Sequence, residues 1–217
     1  GVQYAFNILL QIIEIIYNVK TTRKPEDFEE RLINRDGKKL FPLFLVLDEP
    51  EVHQHPYRQR SLIRKIKALI ENNNQEFLNL LKDLFDIDGL TGQIFIATHS
   101  PNILLDNYRQ FIRLYKNTGT NSQLKIVSGM NVVIDDKLYK HMLHNFIYLK
   151  EAMFSKCNIF VEGAPENGAI PVFAERMGLD MDERGSGVIK LDGADSVKRC
   201  MALYKSFGIK SIALIDK

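Results

Sequence analysis

Apolar residues recur at mixed three- and four-residue steps through Tyr4, Phe6, Leu9, Ile12, Ile13, Ile16 and Tyr17. That spacing predicts an opening helix with a buried face. From Thr21 to Leu40 the chain is highly charged and contains Pro25, Asp36 and Gly37, which predicts a connector with a short helix from Pro25 to Asn34. Leu43 to Leu47 is then apolar without alternation, as in a strand buried on both faces of a parallel sheet. Pro56 suits the first turn of a helix. Leu62, Ile63, Ile66, Leu69 and Ile70 mark one face of that helix, Tyr57 to Asn72. Asn72-Asn73-Asn74 breaks it, and a second helix follows from Gln75 to Phe85.

Gln93 to Ala97 reads as the next buried strand, followed by a short helix from Asn102 to Asp106. Phe111 to Lys116 and Leu124 to Ser128 read as short strands around the turn Asn117-Thr118-Gly119-Thr120. Asp135 to Phe154 is helical and serves as a candidate linker. Beyond it, strands Cys157 to Val161, Val188 to Leu191 and Lys210 to Ile215 alternate with helices Asn167 to Met177 and Ser196 to Phe207. Strands alternating with helices predict an α/β fold with parallel sheets.

Composition changes this picture little. The 217 residues are 45% hydrophobic and 26% charged, an ordinary globular balance. A net charge of +2 is too near neutral to argue for nucleic acid by itself. The opening helix carries Gln3, Asn7, Gln11 and Glu14, so it is not a membrane span, and it lacks the pattern of a signal peptide. Cys157 and Cys200 are expected to be reduced core thiols of a cytoplasmic protein. The chain begins at Gly1, contains no Gly-x-x-x-x-Gly-Lys-[Ser/Thr] phosphate loop, and stops at Ile215-Asp216-Lys217. We therefore expect an internal piece of a longer protein.

Candidate chemistry gathers where strands end. Asp48-Glu49 follows the first buried strand directly, at the carboxyl edge where open α/β sheets bind ligands. The structural alternative is that Asp48 merely starts a turn before Pro50. Thr98-His99-Ser100-Pro101 follows the second strand. A neutral imidazole there can donate or accept, while Ser100 and Pro101 also suit a helix start. Together, Asp48-Glu49, the stretch Glu51-Val52-His53-Gln54-His55-Pro56 and His99 resemble the Walker B motif, D-loop and switch histidine of ABC-type ATPases of the RecF, SMC and OLD group. Gly1-Val2-Gln3 resembles the tail of the signature stretch in that group. The resemblance implies that Asp48 helps hold the Mg²⁺ of ATP, that Glu49 positions or activates water, and that His99 senses the γ-phosphate. Gln54 stands where the family usually has Leu. Arg58, Arg60, Arg64, Lys65 and Lys67 could touch phosphate, but a solvated helix face explains them as well.

A second constellation follows Cys157 to Val161. Glu162 ends that strand and Glu166 falls in the first turn of the next helix, with Gly163 between them. Strand, tight turn and helix can aim both carboxylates at one point, although an acid at a helix start is also favoured by the dipole alone. Glu162-Gly163-x-x-Glu166 with Asp216 after the last strand resembles the Toprim domain in its OLD form. The resemblance implies that Glu162, Glu166 and Asp216 bind Mg²⁺ or Mn²⁺. Hard oxygen ligands suit such ions and leave water positions open. Asp192 and Asp195 are explained by turn chemistry, and Asp180, Asp182 and Glu183 by a solvated acidic turn. His141 and His144 have no third ligand near them and read as solvated helix residues.

The resemblance therefore divides the chain into the C-terminal part of an ABC-type ATPase domain (1–134), a linking helix (135–155) and the first part of a Toprim domain (156–217). It implies an ATP-regulated, metal-dependent DNA endonuclease of the OLD family. The partners implied are DNA, a second copy in a homodimer or larger assembly through the ATPase heads, and in some members a helicase-like or retron partner in anti-phage defence. The alternative is a RecF- or SMC-like ATPase that organises DNA without cutting it. A topoisomerase- or primase-like enzyme is disfavoured, because those lack this ATPase half.

Overall fold

A computed structural model of the chain describes residues 2–22, 24–104, 107–116, 123–133, 146–191 and 193–215. The chain divides into two compact units, Gly1–Ile103 and Leu104–Lys217.

The first unit opens with α1 (Val2–Thr21) and α2 (Pro25–Glu29). A hairpin follows, β1 (Ile33–Arg35) and β2 (Lys38–Asp48), paired antiparallel. The sequence reading made this stretch a connector, with its short helix running to Asn34. Asp36 and Gly37 both take positive φ, 51° and 74°, which two-residue hairpin turns require and Asp-Gly supplies. Helix α3 (Pro56–Ile70) and α4 (Gln75–Phe85) then lead to β3 (Gly89–Ala97), which pairs parallel with β2 from Leu40↔Gly89 to Asp48↔Ala97.

Asn72 shapes the return between α3 and β3. It sits at φ 56°, and its amide both accepts from the Leu90 N–H and donates to the Leu90 carbonyl, each at 2.8 Å. Asn74 caps α4 by accepting from Phe77 N at 3.0 Å. Asp88 accepts from Lys39 N at 2.8 Å. That backbone bond, with the Lys82 ammonium, holds the Asp88 carboxyl below its ordinary pKa.

Ile8, Ile12 and Ile16 of α1, Leu62, Ile66 and Leu69 of α3, and Phe77, Leu81 and Phe85 of α4 pack with Leu43, Leu45 and Leu47 of β2. This core lies against one face of the sheet. Phe44 is 71% exposed and Val46 73%, and Phe44 stacks on Phe95 of β3 with ring centroids 6.5 Å apart. The expectation of a strand buried on both faces is therefore corrected for the described residues: burial alternates, because the helices that meet β2 lie on its leucine side. Downstream of β3, residues 101–103 form a turn rather than the start of the expected helix.

The second unit contains the hairpin β4 (Ile112–Lys116) and β5 (Leu124–Ser128), followed by α5 (Phe146–Ala152), β6 (Cys157–Val161), α6 (Ala164–Arg176), β7 (Ser186–Lys190), α7 (Ala194–Ser206) and β8 (Lys210–Leu214). Its main sheet has the order β7-β6-β8, with β6 parallel to both neighbours. Leu149, Phe160, Leu191, Val197, Leu203, Tyr204 and Phe207 form the core. The Tyr204 hydroxyl donates to the Leu149 carbonyl at 2.5 Å. Burial raises the Cys200 thiol to about 12.

The sequence reading attached the hairpin β4–β5 to the ATPase part, with a boundary after residue 134. The compact division falls earlier, and a specific contact accounts for the hairpin's place. The Arg113 guanidinium donates to the carbonyls of Met153 at 3.2 Å, Phe207 at 3.0 Å and Ser155 at 3.4 Å. Of the expected linking helix, Phe146–Ala152 is helical. His141 and His144, the turn Asn117 to Thr120, Asp192 and Gly1 lie outside the described residues.

Candidate functional site

Two carboxylate-bearing sheet edges emerge, one in each unit. In the first, Asp48 is the last residue of β2 and pairs with Ala97. The Glu49 N–H donates to the Ala97 carbonyl at 2.9 Å, which extends the ladder by one bond. Glu49 then takes φ 43° and His53 φ 61°. Positive φ in non-glycine residues stores backbone strain that only a surrounding structure can hold. The turn sends the chain back over the sheet edge to α3, whose N-cap His55 accepts from Tyr57 N through Nδ1 at 3.4 Å.

This turn is tied to the loop after β3 by side-chain hydrogen bonds. Glu51 is buried, and its Oε1 accepts from Thr98 Oγ1 at 2.5 Å and from His99 N at 3.1 Å. Thr98 Oγ1 in turn accepts from Ser100 N at 3.0 Å. Ser100 Oγ donates to Gln59 Oε1 at 2.6 Å and accepts from Asn102 N at 3.2 Å. Gln59 Nε2 donates to the Gln54 carbonyl at 2.8 Å, and Gln54 Nε2 to the Pro50 carbonyl at 2.7 Å. The His99 ring, in contrast, is 86% exposed, with Nε2 3.4 Å from Glu49 Oε1. Glu49 and His99, read as a pair from sequence, thus come together, with Asp48 one residue away on the strand. Gln54, where the family pattern has Leu, braces the turn.

The sequence reading places Glu51 in the D-loop stretch without giving it a role, and it does not single out Gln59. An acid inside a proline-bounded turn was the available signal for Glu51. For Gln59, a polar residue one turn into α3 gave none.

At the second edge, Val161 ends β6 and pairs with Lys190 of β7 and Leu214 of β8. Glu162 follows immediately, half-buried. Gly163 is the N-cap of α6, and Glu166 lies in its first turn, where the helix dipole favours an anion. The Glu166 side chain folds back over Gly163. A Cβ at Gly163 would stand 2.1 Å from Glu166 Oε2, so the glycine makes room for the carboxylate. Glu166 Oε2 is buried and has no hydrogen-bond partner among the described residues. Buried carboxylate oxygens are normally satisfied, and an orphaned one at the carboxyl edge of a parallel sheet fits a cation. Asp216 lies outside the described residues. Among the described residues no three His, Cys, Asp or Glu side chains cluster closely enough to hold an ion, so the described part of this edge offers Glu162 and Glu166. No described helix is long and apolar enough to cross a membrane.

Comparison with known families follows this division. Residues 5–104 match the family model of an AAA ATPase domain. Residues 153–217 match that of an overcoming lysogenization defect protein-like Toprim domain. No curated protein matches the chain. An α/β ATPase domain followed by an OLD-like Toprim domain is consistent with an OLD-family protein that combines a nuclease-type domain with an ATPase.

Proposed function

We propose that the full-length protein is an ATP-regulated, divalent-metal-dependent DNA endonuclease that acts in the cytoplasm in defence against phage. The observation that carries this reading is the Glu162–Gly163–Glu166 turn, with its orphaned Glu166 oxygen, inside a Toprim match that follows an ATPase match. Glu162, Glu166 and Asp216 would hold Mg²⁺ or Mn²⁺. When bound, such ions activate water and stabilise the leaving oxygen of a phosphodiester. The chain's own part would be to fix the carboxylates: Glu162 directly follows β6, Glu166 stands in the first turn of α6, and Gly163 lets Glu166 close over the turn.

In the ATPase half, Asp48 would hold the Mg²⁺ of ATP. Glu49 would orient water and take its proton, and His99 would meet the γ-phosphate. The strained turn at Glu49 and the 3.4 Å approach of His99 support these roles. Assembly through the ATPase domain into a homodimer or larger oligomer, and a helicase-like or retron partner, belong to the same reading.

Supercoiled plasmid incubated with the full-length protein tests it. Nicking or linearisation is expected with Mg²⁺ or Mn²⁺, and none with chelator. Protein that hydrolyses ATP yet leaves DNA intact under every metal would put the RecF- or SMC-like DNA-organising ATPase in its place.

A further inference from the structure

We propose that Glu51 is a positioning residue for ATP hydrolysis, acting through His99. The inference rests on the ATPase reading of the first sheet edge and gives a role to an acid that the D-loop resemblance contains without assigning it one. Glu51 is only 8% exposed and has no cationic partner among the described residues, which is uncommon for a carboxylate. Its Oε1 takes both bonds offered by the opposite loop, from Thr98 Oγ1 at 2.5 Å and His99 N at 3.1 Å. Its Oε2 is buried and unpartnered. A buried acid held at this desolvation cost fixes the backbone that presents the imidazole.

The connection also runs along the chain. Glu51 stands two residues after Glu49, in the turn closed by Val52 N to the Glu49 carbonyl at 3.1 Å and Gln54 N to the Glu51 carbonyl at 3.0 Å. The side chain that faces the reacting phosphate and the backbone that carries the water-handling acid are thus locked by one carboxylate. The His99 ring itself is exposed and meets Glu49 only at 3.4 Å. Its placement therefore depends on its backbone, and that backbone N–H ends on Glu51.

Steady-state ATP hydrolysis by the full-length protein tests this. Glu51→Ala is expected to lower kcat by about tenfold or more, the scale of losing hydrogen bonds to a charged acceptor, with KM for ATP near that of the wild type. Glu51→Gln retains an acceptor oxygen and recovers most of kcat. In a His99→Ala background, Glu51→Ala adds no further loss, because coupled residues are non-additive. Thr98→Val removes one of the two bonds to Glu51, together with the acceptor of Ser100 N, without altering the acid, lowers kcat in the same direction, and serves if Glu51→Ala does not fold. Losses that multiply in the double variant, Gln no better than Ala, or Glu51 and Thr98 variants that turn over normally would each overturn the inference and leave the ATPase reading standing. A wild-type protein that hydrolyses no ATP would overturn that reading and this inference with it.

Discussion

Glu49→Gln in the full-length protein is expected to lower the turnover of ATP by about 10²- to 10³-fold, the worth of a general base, while ATP still binds. Glutamine keeps the length, the shape and one acceptor oxygen, so the turn after β2 survives. What it loses is the ability to take a proton. Glu49 sits where that loss matters most on the proposed reading: directly after Asp48, with its N–H on Ala97 and its carboxylate facing His99. Its backbone at φ 43° holds the side chain at the sheet edge instead of letting it continue the strand's alternation. Turnover at saturating ATP and binding of a fluorescent ATP analogue, measured side by side, check the prediction. Unchanged turnover would remove Glu49 from the chemistry. Loss of binding together with turnover would show that the substitution damaged the site as a whole.

Gly163→Ala is expected to reduce DNA cleavage by about a hundredfold, the scale on which ångström-size displacements of a reacting group act, while stability changes by less than about 1 kcal/mol. The two effects separate for a geometric reason. Gly163 has φ −104°, open to any residue, so alanine strains no backbone. The new Cβ instead meets the end of the Glu166 side chain, 2.1 Å from Oε2, and a flexible side chain gives way cheaply. It gives way, however, by leaving the place from which it would hold a metal. Plasmid cleavage and a denaturant midpoint on the same preparation decide the matter. Full activity would mean that the position of Glu166 is unimportant. A large drop in stability would mean that Gly163 matters for folding instead.

Much of the framework was legible because it is local. The strand Cys157–Val161 and the helix Gln75–Phe85 appear with the bounds that periodicity and turn residues suggest. The positions of Asp48, His99 and Glu162 at strand ends follow from where apolar runs stop. The hairpin β1–β2 was missed because charge was weighed above the Asp36-Gly37 turn signal. The alternating burial of β2 could not be read from Leu43 to Leu47, since an unbroken apolar run does not say which face the helices cover. Glu51 illustrates the deeper limit. Its partner Thr98 lies 47 residues away, and no spacing or propensity connects an acid in one loop to a hydroxyl in another. The carboxylate edges are thus legible from composition at strand ends, while the bonds that hold them in place require the fold.

The measurement that bears most directly on the central claim is Mn²⁺ binding to the full-length protein without nucleotide, followed by loss of the free-ion paramagnetic resonance signal. Wild type should bind, and both Glu162→Ala and Glu166→Ala should weaken binding by more than about tenfold, since even outer-shell changes cost that much. Titrations that superimpose for all three proteins would contradict the assignment of Glu162 and Glu166 as the metal-holding pair, and with it the nuclease reading of the second unit.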